Sequence, residues 1–142
     1  MAKYKLDIEE ENDDFLIIGI CSHIKDYRIT WLINQQLNLE LVRSETDLVN
    51  WTSAKSKRQS YARFQYHDEQ LEADYYLISN NAGNIKLLPD QKMFDFFLMI
   101  KNNNELSLPN LVKELMAIPE ILTAYAIDSK QIKHKDNIIF DE

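Results

Sequence analysis

The stretch over residues 107–127, SLPNLVKELMAIPEILTAYAI, decides the fold because it changes from helix to strand at a single proline. Ser107 is a typical helix N-cap, and Pro109 suits the first helical turn, where a missing N–H costs little. The helix must end near Ala117, because the residue before Pro119 is pushed out of the helical backbone region. The apolar residues ahead of that proline follow the i, i+3, i+4, i+7, i+8 spacing of one helix face: Leu108, Leu111, Val112, Leu115 and Met116.

A strand follows this helix, and the same kind of unit occurs near the start of the chain. Residues 121–127 alternate in a way that predicts the strand. Residues 15–21, FLIIGIC, are apolar on both faces, which is typical of a central strand covered on two sides. Ser22 is then the expected N-cap of a helix over about residues 25–38, and residues 39–43 predict a short strand.

The middle of the chain predicts antiparallel strands at 61–66, 71–79, 85–88 and 94–100. A turn at 67–70 is expected to close the first hairpin. Residues 44–60 are polar and predict a long loop, while 1–14 form an acidic segment and 129–142 a polar tail of one single domain. Strand–helix–strand units around hairpins predict an α+β fold, a mainly antiparallel sheet backed by two helices. The expected order is β-α-β-β-β-β-β-α-β, similar to a ferredoxin-like arrangement.

The first predicted helix carries two apolar stripes. One contains Tyr27 and Trp31, and the other, nearly opposite, contains Ile29, Ile33 and Leu37. A helix on the surface of a monomer has one apolar face, so the second stripe predicts a further contact, either with the rest of this chain or with a second copy. The outer face of the sheet is also partly apolar, which marks an interface if it is exposed. The candidate interface therefore comprises Ile29, Ile33, Leu37, Tyr76, Ile78, Phe97 and Met99.

Composition excludes some classes of partner. The chain has 142 residues and a net charge of −7, which disfavours both nucleic acid and anionic membrane surfaces. Its one cysteine, Cys21, fits a reducing compartment. The N-terminus has no apolar segment typical of a secretory signal, so we expect a cytoplasmic protein.

Few residues combine into a catalytic or ligand-binding pattern. Cys21, His23 and Asp26 offer at most an incomplete set of metal ligands. The favoured interpretation is therefore a buried cysteine beside an exposed histidine. His67 and Asp68 fall on the predicted hairpin turn, where a solvated loop is favoured. The two glycines exclude the common phosphate-binding motifs, and we predict no catalytic residue, cofactor or metal. The only basic cluster, expected to be a flexible charged loop, comprises Lys55, Lys57, Arg58 and Arg63.

The corner after the second helix resembles a family signature. Ile118, Pro119, Glu120 and Tyr125 stand where the IPExxVDY family of small bacterial proteins has its Ile, Pro, Glu and Tyr. The residues at 123–124, Thr and Ala, replace the Val and Asp of the signature. The resemblance implies no assigned activity and no catalytic or binding residue. The looser similarity covers the segments KDYRITWLIN, YYLISN and FLMIKN.

These observations lead to two expectations about function. The main one is a non-enzymatic cytoplasmic module that forms a homodimer or binds a protein partner. The alternative is a small-molecule-sensing regulatory module, because the strand–helix–strand unit at 94–127 looks like the second half of domains of the ACT type. Such domains place effectors near the turn before a helix, which here is KNNNELS. The residues themselves predict that the IPE motif is a helix-to-strand corner.

Overall fold

The computed structural model describes residues 15–44, 48–52, 57–82, 85–101, 107–128 and 132. The two helices are α1 (Asp26–Leu37) and α2 (Leu108–Met116), and a short 3₁₀ helix spans Pro89–Gln91. The strands are β1 (Phe15–Cys21), β2 (Val42–Arg43), β3 (Leu48–Thr52), β4 (Lys57–Tyr61), β5 (Arg63–Asp68), β6 (Ala73–Ser79), β7 (Asn81–Ala82), β8 (Ile85–Lys86), β9 (Phe96–Lys101) and β10 (Thr123–Ile127).

Within the described residues the main sheet has six strands in the order β10-β1-β9-β6-β5-β2, and each of these neighbours pairs antiparallel. Helix α1 follows β1 and helix α2 follows β9, so both predicted strand–helix–strand units are present. The predicted α+β class and the order of the main elements are confirmed. Strand β1 lies between β9 and β10, as expected for a strand that is apolar on both faces.

One face of the sheet packs against the helices. Ile29 and Ile33 of α1 and Leu115 of α2 are fully buried there. The strand residues alternate between the two faces: Leu77 and Leu98 point into this core, whereas Phe94, which precedes β9, packs on the opposite face of the sheet. Within it the strands and connecting segments contribute Ile18, Ile20, Leu41, Phe64, Ala73, Tyr75, Phe96, Ile100, Ile118, Ile121 and Ala124.

The opposite face of the sheet is covered by other segments of the same chain. Tyr61, Leu87 and Leu88 are fully buried against it, and Ile132 joins them from the tail. This face carries Ile17, Tyr76, Ile78, Phe97 and Met99. The sequence predicted a partly apolar outer face of the sheet, and a second core lies on that face.

The placement of the candidate interface follows from these two cores. Ile29, Ile33, Ile78, Phe97 and Met99 are fully buried within the chain, Tyr76 is almost so, and Leu37 is half-buried beside the first core. Of the two alternatives for the second stripe of α1, the structure shows contact with the rest of this chain. The exposed stripe of α1 is instead the one with Tyr27 (66% exposed) and Trp31 (54% exposed).

Asn80 holds in place the segment that covers the second face. Its side-chain nitrogen donates to the carbonyls of Gln91 (3.2 Å) and Phe94 (2.8 Å). Its side-chain oxygen accepts from the Leu88 N–H at 2.8 Å. Asn80 is fully buried, so these bonds satisfy polar groups that water does not reach.

Gly19 in β1 lets an aromatic ring pack directly on the strand. It pairs with Phe97 on one side and with Tyr125 on the other. The Phe94 ring lies above it, and a Cβ atom at Gly19 would be 2.6 Å from three ring carbons. Phe94 makes edge-on contacts with Phe97 at 6.1 Å and with Tyr125 at 6.3 Å between ring centroids. The missing side chain is thus filled by a ring from another segment.

Several local predictions are wrong. Residues 44–60, predicted as a long loop, include β3 and β4, which pair with each other. The first hairpin turn lies at 69–72, because β5 continues through Asp68, whose carboxylate accepts from the N–H groups of the turn. Helix α1 begins after Lys25, which makes no side-chain cap bond, so Ser22 is not its N-cap. The acidic segment 1–14, Lys55 and the tail apart from Ile132 lie outside the described residues.

Candidate functional site

Helix α2 forms as its sequence predicts. The Ser107 hydroxyl accepts from the Asn110 N–H at 3.4 Å, as an N-cap does. Leu111 and Leu115 are buried in the first core. Met116 departs from the predicted stripe, because it lies at the edge of that stripe and is 51% exposed.

The IPE corner is a hydrogen-bonded turn. The Ile118 N–H donates to the Leu115 carbonyl, and the Ile121 N–H donates to the Ile118 carbonyl, both at 3.0 Å. The second bond spans i to i+3 and encloses Pro119, whose fixed φ suits the second position of a turn. Ile118 and Ile121 are buried, so the corner also contributes to the first core.

The junction between β1 and α1 is hydrogen-bonded to this corner. The buried Ser22 hydroxyl donates to the Glu120 carbonyl at 2.9 Å, and the Leu122 N–H donates to the Cys21 carbonyl at 2.8 Å. The Glu120 carboxylate lies 3.9 Å from the Arg28 guanidinium, and both side chains are partly exposed. Such a pair contributes little to stability, so the backbone bonds hold the corner.

Strand β10 is one edge of the main sheet. It pairs with β1, and in the described part of the chain no strand lies on its other side. Its five residues, Thr123–Ile127, carry no charge and no proline. The other edge, β2, has only two residues, one of them Arg43. Short length and charge are the usual protections of an edge strand, and β10 has neither.

Apolar residues surround this edge. Leu122 is 59% exposed and Tyr125 is 61% exposed, and Ala126 is exposed as well. Helix α2 packs above β10. Its inner flank, with Lys113, lines a cleft of about 450 Å³ next to Gln36 of α1. With 3.6 residues per turn, the outer flank of α2 carries Pro109, Val112 and Met116.

We call this region the edge surface, defined by Pro109, Val112, Met116, Leu122, Tyr125 and Ala126. All of these are exposed except Val112, which is half-buried. The sequence interpretation identified Tyr125 as a motif residue but assigned it no surface, and it placed Met116 in the core. No local pattern marks these positions, because their exposure follows from the position of β10 at the sheet edge.

His67, expected in a solvated turn, instead lies on a strand and forms an exposed cross-strand pair. His67 lies on β5 opposite Asp74 on β6, and its Nδ1 is 2.7 Å from the Asp74 carboxylate. The hydrogen bond to the Asp74 carboxylate raises the pKa of His67, although partial desolvation opposes the shift. The sequence interpretation missed Asp74, because the partner depends on the register of the hairpin.

Two open grooves adjoin this pair. One, of about 430 Å³, is lined by Glu40, Val42, Gln65, Tyr66, His67, Asp74 and Tyr76. The other, of about 480 Å³, is lined by Asn38, Glu40, Tyr66, His67, Asp68, Glu69 and Gln70. Acidic and aromatic side chains dominate both grooves.

Cys21 has the surroundings of an unreactive thiol. Its sulfur donates to the Met93 carbonyl at 3.2 Å. Burial raises its pKa, and the nearby Asp95 carboxylate adds to the effect, so the reactive thiolate is disfavoured. His23 is exposed at the start of the α1 junction. Within the described residues no group of three or more His, Cys, Asp or Glu side chains is placed to hold a metal ion.

Neither described helix has the length and apolar character needed to span a lipid bilayer. A comparison with protein-family models found no match to this chain, and a comparison with curated proteins likewise found none. The resemblance to the IPExxVDY family therefore stays a prediction.

Proposed function

We propose that this chain is a non-enzymatic cytoplasmic module that associates with itself or with a protein partner through the edge surface. One observation carries the proposal: an uncharged edge strand lies beside the exposed apolar residues Met116, Leu122 and Tyr125. An exposed strand edge is a template for another strand, and a contiguous apolar surface around it favours protein contact.

The chemistry of the candidate catalytic residues supports the non-enzymatic half of the proposal. The pKa of Cys21 is raised, so its thiol stays protonated at neutral pH and is a weak nucleophile. His67 is paired with Asp74 as a base is in a catalytic triad, but the described side chains that line its grooves include no Ser, Thr, Cys or Lys nucleophile.

Light scattering coupled to size-exclusion chromatography tests the self-association. The mass of the eluting species should rise above the 16.8 kDa of one chain as the loading concentration increases. A chain that stays monomeric at several hundred micromolar would remove self-association and leave only a different partner.

A second candidate, a small-molecule-sensing module, is favoured by the paired grooves beside His67. Grooves of this size lie in the range of ligand sites, and they combine Tyr66 with Glu40 and His67. The turn before α2 that such a module would use lies at 102–106, outside the described residues. A thermal-shift screen with amino acids and nucleotides decides this, because a ligand that binds the folded state must raise its melting temperature. If none raises it, this candidate fails.

A further inference from the structure

We propose that β10 of one copy pairs antiparallel with β10 of a second copy, which joins two six-stranded sheets into one continuous sheet. The two-fold axis would pass near Tyr125, the middle residue of the strand. This inference rests on the proposed function, because it specifies the partner and the geometry of the edge surface.

The backbone of β10 determines what kind of partner fits. In an edge strand, the N–H and C=O groups of every second residue point away from the sheet and need hydrogen-bond partners. A second strand supplies those partners in register, as β1 does on the inner side over Ile17↔Ile127 to Cys21↔Thr123. The contrast with β2, which has two residues including Arg43, explains why pairing is expected at β10 alone.

The charge distribution favours a second copy as the occupant. A chain of net charge −7 repels its own copies, so a self-contact needs a surface free of carboxylates. The six residues of the edge surface carry none, and the antiparallel register places Asp128, which follows β10, opposite Leu122 and away from its own copy. Antiparallel pairing about a two-fold axis also brings the same patch together on both sides, which is the usual form of a dimer contact.

Helix α2 enlarges the contact beyond the strand. A stable interface buries about 800 Å² on each partner, which is more than one five-residue strand offers. Because α2 packs above β10, the two-fold axis places the two α2 helices side by side over the joined sheet. The outer flank of each helix, with Val112 and Met116, would then face the outer flank of the other.

The first test uses substitutions at exposed positions, which leave the monomer fold largely unperturbed. With the axis at Tyr125, Leu122 lies opposite Asp128 of the second copy, so Leu122→Glu places two carboxylates opposite each other, and Met116→Glu places a charge in the apolar contact between the two α2 helices. Each is expected to raise the dimer dissociation constant at least tenfold in sedimentation equilibrium. Trp31→Glu is the matched control, because Trp31 is 54% exposed and apolar but lies on α1. It should leave the constant unchanged.

The second test reads the register. Directly opposite residues in an antiparallel pair have Cα atoms about 4.5–5.5 Å apart, which lies within the range that a disulfide spans. With the native thiol removed by Cys21→Ser, Tyr125→Cys should therefore form an intermolecular disulfide under mild oxidation. The control Trp31→Cys in the same background should not.

The outcomes separate this inference from the proposed function. If the wild-type chain is a dimer that Trp31→Glu dissociates while Leu122→Glu and Met116→Glu do not, the β10 contact is wrong but self-association stands. A dimer in which Trp31→Cys cross-links as fast as Tyr125→Cys overturns the inference in the same way. If the wild-type chain is a monomer at several hundred micromolar, both the inference and the self-association fail.

Discussion

Gly19→Ala tests the packing of Phe94 on β1, because two effects of the substitution have opposite signs. Glycine inside a strand is less stable than alanine by roughly 0.5–1 kcal/mol, since it loses more conformational freedom on folding. If Gly19 had no packing role, alanine there would stabilise the protein by about that amount. The structure predicts the reverse.

The magnitude follows from the position of the ring. A methyl group at residue 19 would lie 2.6 Å from Cγ, Cδ1 and Cδ2 of Phe94. Carbon atoms in contact prefer about 3.5–4.0 Å, so the ring must move by about 1 Å. Phe94 is buried and bordered by Phe97 and Tyr125, which restrict that movement. Overpacking of this kind costs about 1–3 kcal/mol, so after the entropic gain we expect a net loss of about 1–2 kcal/mol.

The assay is urea denaturation followed by circular dichroism at one fixed protein concentration, because association would shift the apparent stability. Phe94→Leu supplies the control background, since it removes the flat ring and keeps much of its apolar volume. In that background Gly19→Ala should be neutral or stabilising, which gives a coupling energy of at least about 1 kcal/mol between the two positions.

Two results would refute this reasoning. Gly19→Ala alone raising the free energy of unfolding would show that the ring does not restrict residue 19. The same destabilisation with and without Phe94 would show that the loss comes from β1 itself, for example from its pairing with β10.

The remaining predictions concern three other parts of the molecule. Asn80→Ala leaves the buried Leu88 N–H and Phe94 carbonyl without their side-chain partner and should lower the free energy of unfolding by about 2–4 kcal/mol in urea, whereas a loss below about 0.5 kcal/mol would contradict its role. The raised pKa of His67 means that the folded state holds its proton more tightly than the unfolded state does. The stabilisation that protonated His67 adds to the folded state is therefore complete below about pH 6.5 and is lost as pH rises through the folded-state pKa. Urea denaturation midpoints measured across pH should show this loss, and Asp74→Asn should reduce it. Pro119→Ala should lower stability by about 0.4–1 kcal/mol in a thermal melt, while Glu120→Ala should stay within about 0.5 kcal/mol. If Glu120→Ala instead abolished a dimer or ligand contact while the melting temperature stayed unchanged, the IPE corner would be a binding site.

Local sequence information predicted those elements whose signals lie within a few residues. The i, i+4 stripe of α2, its Ser107 cap and the proline at 119 all act over one or two helical turns, and the structure has each of them. The alternation in β6 and β9 likewise identified the helix-facing side, because side-chain direction in a strand has a period of two.

The candidate site could be predicted only in part. Tyr125 was identified through a motif, but its exposure depends on β10 lying at the sheet edge, and strand order is not encoded in any one segment. Similarly, His67 was noticed for its chemistry, while Asp74 became its partner through the hairpin register. Both are relations between segments, which periodicity within one segment does not contain.

By itself the sequence determined the α+β class, the helix-to-strand corner and the two-sided apolar character of β1. Only the tertiary structure decided what covers each apolar face. The stripe with Ile29 and Ile33 and the stripe with Trp31 are both apolar, and the sheet buries the first and leaves the second exposed. The outer sheet face is covered by residues distant along the chain, Leu88 and Ile132 among them. Burial of apolar surface is non-directional, so hydrophobicity favours covering such faces, and only the packed fold specifies which of them is covered and by what.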